Sequence, residues 1–134
     1  MLRFPLILFA ALATAAPATA QDTERGQAEL ARSLEGRVAG EPVNCIQLSA
    51  IRSTRIINRT AILYDTGTRL YVNRPSGAEG LDDDDILLTK TASGDLCRLE
   101  IVTLLDRSSR MQRGSVGLGE FVPYSRPARG DSGH

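Results

Sequence analysis

The sequence predicts an all-β domain, mainly antiparallel, built as a small barrel or sandwich, with one short N-terminal helix. Three observations carry this. Between residues 43 and 124, short runs rich in Val, Ile, Leu, Thr and Tyr follow one another. Turn-forming residues separate them at Thr66-Gly67, Pro75-Ser76-Gly77, Ser93-Gly94 and Arg113-Gly114-Ser115. Before residue 40, one stretch instead has apolar residues at helical spacing.

The chain begins with a segment that reads as a secretory signal peptide over residues 1–20. Arg3 is its only charge, Leu6 to Ala16 is apolar, and Ala18 and Ala20 supply the small residues a signal peptidase reads. The apolar run is about half the ~20 residues a membrane-spanning helix requires. Cleavage is therefore expected after Ala20, with no membrane span remaining and a periplasmic or secreted product. Residues 21–40 form the N-terminal helical segment. Within it, "DTERGQAELARSLEG" (22–36) sets Ala28, Ala31 and Leu34 at helical spacing, and Gly36, Gly40 and Pro42 end the pattern. The stripe is thin, so the helix is expected to lie on the domain and not at its centre.

Residues 41–126 form the β domain. Expected strands run over 43–48, 55–58, 60–64, 69–73, 86–91 and 96–105, the last being the longest. A final one over 116–124 is interrupted by Gly117 and Gly119 and closed by Pro123. Residues 127–134 are polar and expected to be disordered.

Two hairpins have an arguable register. With Thr66-Gly67 at the tip, Leu63 faces Leu70 and Ala61 faces Val72, and these four share one face. Ile62, Tyr64, Arg69 and Tyr71 take the other. With Ser93-Gly94 at a second tip, Leu88 faces Leu99, and Cys97 points into the core beside Ile101.

Composition limits the chemistry. The chain has 134 residues with 16 basic and 16 acidic side chains. Loss of Arg3 leaves the processed chain near neutral. One small domain with a mostly aliphatic core follows. Its two cysteines, Cys45 and Cys97, read as a disulfide in an oxidising compartment. The bridge would close a loop of about 53 residues, and the chain-entropy model gives about 4 kcal/mol for such a loop. The only His is His134 and the only Lys is Lys90. Ser-His-Asp or Cys-His catalysis would have to use that terminal His. A zinc site lacks ligands once the cysteines pair. No cofactor fingerprint is present, and no metal or cofactor is expected.

One motif carries catalytic chemistry. In "AILYDTGTRLYV" (61–72), Asp65-Thr66-Gly67 has the pattern of an aspartic protease loop. Such an enzyme needs two carboxylates about 3 Å apart that share one proton. A chain with one loop would have to dimerise in the retroviral manner, using Asp65. Val116-Gly117-Leu118-Gly119 resembles the apolar-Gly element that supports the loop in those enzymes. The competing reading is a plain hairpin turn, for which Asp and Gly are both favoured.

Charge is blocked along the chain. Residues 51–74 hold five Arg against Asp65, residues 79–106 hold eight acidic residues against Lys90 and Arg98, and residues 107–129 hold five Arg against Glu120. Arg52, Arg55 and Arg59 are candidates for an anion-binding surface, with an anionic envelope polymer as partner. Pairing within the molecule to the acidic segment is the preferred reading. Asp82 to Asp85 lacks the alternation and Gly of a calcium loop, so a solvated loop or a charged gatekeeper before an apolar strand is expected. Near-zero net charge and few aromatics argue against nucleic acid. Asn58-Arg59-Thr60 matches a glycosylation acceptor but is read as a turn. Arg129-Gly130-Asp131 is read as a chance match to the integrin tripeptide.

Taken together, "NCIQL", "AILYDTGTRLYVNRP", "DLCRLEI" and "GLGEFVPY" resemble a family of small exported proteins of Gram-negative bacteria with no assigned function. The resemblance runs from about Gly36 to Arg126. It implies that Cys45 and Cys97 are a pair. Wider relatives carry two further cysteines, near Gly77 or Ala78 and near Gly117, which this chain lacks. The family lends no catalytic residues. The expected function is a non-enzymatic interaction or structural module of the cell envelope, with an envelope protein as the first partner class.

Overall fold

The computed structural model describes residues 17–128, and before them residues 2, 5 and 10–15. Arg3, the Arg129-Gly130-Asp131 tripeptide and His134 lie outside the described residues.

Among the described residues one α-helix, α1 (Ala18–Ser33), precedes ten strands: β1 (Val38–Ala39), β2 (Cys45–Gln47), β3 (Ser53–Ile57), β4 (Ala61–Asp65), β5 (Leu70–Asn73), β6 (Ile86–Thr89), β7 (Asp95–Cys97), β8 (Ile101–Leu105), β9 (Gln112–Gly117) and β10 (Phe121–Ser125). All pairings are antiparallel. They form a five-stranded sheet in the order β1-β10-β5-β4-β3, a pair β2-β7, and a three-stranded sheet β6-β8-β9. The all-β class with one short helix is as expected, in stacked layers and not a closed barrel.

The large sheet is covered on both faces. Ala61, Leu63, Leu70 and Val72 lie under Leu30 of α1, with Ile57 completing that cluster. Ile62 and Tyr64 face the other way, onto Leu96, Val102, Leu104 and Val116 of the smaller sheets and Leu118 of the segment after β9, with Phe121 of β10 completing that cluster. Double coverage explains why four successive residues of β4, Ala61 to Tyr64, are all buried. The core is aliphatic except for Tyr64 and Phe121, whose rings meet edge to face at 5.7 Å.

The helix seats by a different stripe from the one expected. Gly26 and Leu30 are its buried residues, with Leu34 packed alongside, while Ala28 and Ala31 are exposed. Gly26 decides this: a Cβ there would sit 1.9 Å from Thr60 Oγ1 and 2.6 Å from the Asn58 carbonyl. Only Gly lets the helix approach the β3–β4 turn so closely.

The first hairpin has the expected faces but a register two residues wider. Leu63 pairs with Val72 and Asp65 with Leu70, so the tip is the four residues Thr66–Arg69. A shift of two preserves the side-chain faces, and the hydrophobic pattern alone could not detect it. The second expected hairpin does not form. β6 pairs with β8 through Leu88 and Thr103, and the 96–105 run divides into two strands of different sheets. The break is at Leu99, which takes a left-handed φ of 70° and is exposed. Cys97 is committed to β2, whereas Ile101 pairs with Gly117.

Two further boundaries move. Arg113, Gly114 and Ser115 lie inside β9, and the turn is at residues 106–110. There the Asp106 carboxylate accepts from the Ser108 and Ser109 N–H groups and the Ser109 hydroxyl. β10 runs through Pro123 to Ser125. The Pro123 carbonyl accepts from Gly40 N–H on the β1 side, so the missing N–H falls where β1 has ended and costs the β5 ladder nothing.

Candidate functional site

Asp65 ends β4 and is half-buried beside Leu70. Its Oδ1 accepts from Gly67 N–H at 2.7 Å, and its carbonyl accepts from Arg52 N–H at 2.7 Å. Gly67 has a φ of 90°, and the Arg52 guanidinium lies against it. This is an Asx turn, in which the carboxylate stands in for a backbone carbonyl. The Val116–Gly119 element lies elsewhere: Gly119 is held by the buried Asn73 side chain, which donates to its carbonyl at 2.8 Å and accepts from its N–H at 2.9 Å. Asn73 closes the end of β5 opposite the Asp65 tip, so the two pieces of the protease pattern are not brought together.

The three candidate arginines do not converge. Arg52 precedes β3 and lies at the hairpin tip. Arg55, in mid-strand, donates to Ser33 Oγ of α1. Arg59 follows β3 in the Asn58–Thr60 turn, 3.7 Å from Asp22 of the helix. What the fold does bring together is Arg55 with Asp65, in a cleft of about 540 Å³ between α1 and the sheet, where Glu29 and Arg32 also line the wall. Two carboxylates and two guanidiniums at one mouth give no excess positive charge for an anion.

Two of the four carboxylates in the acidic run, Asp84 and Asp85, are engaged with the third charge block. Arg113 donates Nε to Asp85 Oδ1 at 2.9 Å and Nη2 to Oδ2 at 2.6 Å, a two-pronged pair on a buried carboxylate. The hydrogen bond and charge of Asp85 push the Arg113 guanidinium further above its usual range. Arg107 reaches Asp84 at 3.4 Å, Asp82 Oδ1 accepts from Asp84 N–H, and Asn58 Oδ1 accepts from Asp83 N–H. Among the described residues no group of three or more His, Cys, Asp or Glu is placed to hold a metal.

Cys45 and Cys97 form a disulfide. They are directly opposite in the β2–β7 pair, with Cα atoms 4.0 Å apart. Arg98 N–H bonds the Asn44 carbonyl one step along the ladder, so the bridge occupies a non-hydrogen-bonded position, where side chains approach most closely. The expected inward direction of Cys97 is reversed in detail. Ile46 and Leu96 enter the core, while Cys45 is exposed and Cys97 half-buried. The bridge therefore clamps the strand pair from the solvent side.

A second cleft, of about 500 Å³, was not foreseen from the sequence. It lies between β3 and β6, each the outermost strand of its sheet. Three successive residues of β3, Thr54 to Ile56, line one wall, and Ile86, Leu87 and Thr89 line the other. A wall made of consecutive residues is a strand's edge and not its face. Tyr64 and Leu96 contribute to the floor. The Tyr64 hydroxyl is buried without a hydrogen-bond partner among the described residues, and burial pushes its ionisation well above the usual range. Sequence spacing gave no hint of this cleft, because it arises from where two sheets end.

No helix among the described residues is long and apolar enough to cross a membrane. A scan against protein-family models and searches of curated proteins and of solved structures found no match to this chain.

Proposed function

We propose that the chain is an exported interaction module that works by binding a partner of the cell envelope, and not by catalysis. Residues 1–20 direct it out of the cytoplasm and are removed, and the Cys45–Cys97 bridge fits the oxidising compartment that follows. The observation that carries the binding role is the cleft between β3 and β6. It offers two strand edges, with Ile56, Ile86 and Leu87 as apolar and Thr54 and Thr89 as polar residues of its walls, above Tyr64, whose hydroxyl is a buried side-chain polar atom without a hydrogen-bond partner among the described residues. The Asp65 turn supports the non-catalytic side of the reading, since its carboxylate already serves the hairpin. The family resemblance noted above, with its lack of catalytic residues, agrees with this role.

The test is photo-crosslinking in the producing cell. A photoreactive side chain replaces Thr54 at the cleft, Met111 on the exposed turn side, or Gln27 on the helix. An envelope protein crosslinked from any of these positions supports an interaction module. Absence of adducts from all three, together with acid proteolysis by the purified chain that Asp65→Asn abolishes, would replace the reading with the dimeric protease.

A further inference from the structure

We infer that the cleft between β3 and β6 takes one extended peptide segment of a partner protein, threaded as a strand that hydrogen-bonds to both edges at once. This rests on the interaction-module reading and names its partner chemistry. Among the described residues β3 pairs only with β4, and β6 only with β8. No other backbone hydrogen bond reaches Ser53–Ile56 or Ile86–Thr89 among the described residues. Alternate residues of each outer edge therefore keep N–H and C=O groups that neither sheet uses, and residues of both edges line one groove, the condition that strand addition satisfies.

The two edges run in opposite directions. Arg59 N–H bonds the Leu81 carbonyl and Asn58 Oδ1 accepts from Asp83 N–H, which puts the end of β3 beside the start of β6. An inserted strand is thus antiparallel to one wall and parallel to the other. It would join the large sheet and the β6-β8-β9 sheet into one. The walls are five and four residues long, which sets the paired length of the segment.

Chemistry selects the occupant. Among the described residues, every strand that a second copy could offer is already paired on at least one side and so could satisfy only one wall. An isolated extended segment has both edges free. Its alternate side chains point to a floor containing Tyr64 and Leu96, so they are apolar. Where β3 ends and β6 begins, Asp83 lines the cleft with no ion pair among the described residues. A Lys or Arg is therefore expected at that end of the segment.

The probe is a phage-displayed library of random heptapeptides, selected on the oxidised protein. The expected winners have apolar residues at alternate positions and a basic residue at one end. Single N-methylation at each of the central backbone nitrogens of a winner should weaken binding at least tenfold at every position, because odd and even amides serve different walls. In the bound state the outer-edge amides of both β3 and β6 should gain protection from hydrogen exchange. Loss confined to alternate positions would overturn two-sided pairing. No loss on N-methylation, no selected binder, or binders that protect residues elsewhere would overturn the groove itself. An envelope partner crosslinked only from Met111 or Gln27 would sink this inference while leaving the interaction-module reading intact.

Discussion

Substituting Gly26 by Ala should destabilise the protein, although the same change in an ordinary helix stabilises it. In a helix interior, Gly→Ala gains about 1 kcal/mol from propensity. At this position the new methyl meets Thr60 Oγ1 at 1.9 Å, the Asn58 carbonyl at 2.6 Å and Thr60 Cβ at 3.1 Å. Rotating Thr60 relieves only the first contact, and it breaks the 2.8 Å bond from Thr60 Oγ1 to the Asn58 carbonyl. That bond is worth about 1 kcal/mol. The Asn58 carbonyl is backbone inside a closed turn, so α1 must lift, which loosens Leu30. Overpacking of this kind costs about 1–3 kcal/mol. The terms sum to a net loss of about 2 kcal/mol, or a Tm lower by about 8 °C for a domain of this size. Thermal unfolding followed by circular dichroism measures it. Gly80→Ala is the control, since a Cβ there meets nothing within 4 Å. A Gly26→Ala variant more stable than the parent would refute the seating of the helix on the β3–β4 turn.

Two further outcomes follow from local geometry. Asp106 has its pKa lowered, first by the Ser109 N–H and hydroxyl and then by Ser108 and Arg113. A depressed folded-state pKa adds stability that is present above the unfolded value of 3.8 and lost as pH falls through the folded value. Asp106→Asn should therefore lower Tm at neutral pH, and the gap from the parent should shrink in strong acid; a gap constant with pH in the Tm series would exclude this role. Ser76 and Gly117 exchange backbone hydrogen bonds at 2.9 and 3.2 Å across an isolated bridge. Pairs of that kind have Cα atoms about 5.5 Å apart, inside the disulfide range. Ser76→Cys with Gly117→Cys should close a second bridge without disturbing Cys45–Cys97, and four free or scrambled thiols by peptide mapping would contradict the register of this joint.

The sequence carried the parts of the fold that depend on local pattern. Period two placed Ala61, Leu63, Leu70 and Val72 on one face and Ile62 and Tyr64 on the other, and both assignments hold. What it could not carry were choices made by tertiary partners. The four-residue tip between Asp65 and Leu70 keeps the same faces as a two-residue one, so pattern cannot separate them. The 96–105 run reads as one strand because its break at Leu99 uses a left-handed backbone that Leu rarely adopts. β1 has two residues and exists only because β10 passes beside it. The cysteine pair was legible from its even count and the compartment expected from residues 1–20, while its outward direction was not, because it depends on Ile46 and Leu96 filling the core instead. Of the candidate site, the Asp65 turn was readable from its residues. The β3–β6 cleft was invisible, since it belongs to the ends of two sheets whose order no local signal encodes.

Mass analysis of the protein recovered from the cells that make it, before and after reduction and thiol alkylation, bears on everything above. A single species starting at Gln21, two hydrogens lighter than its reduced form and alkylated only once reductant is added, is the expected result. A chain retaining residues 1–20 with both sulfurs open to alkylation from the start would remove the export, the strand clamp and the role built on them.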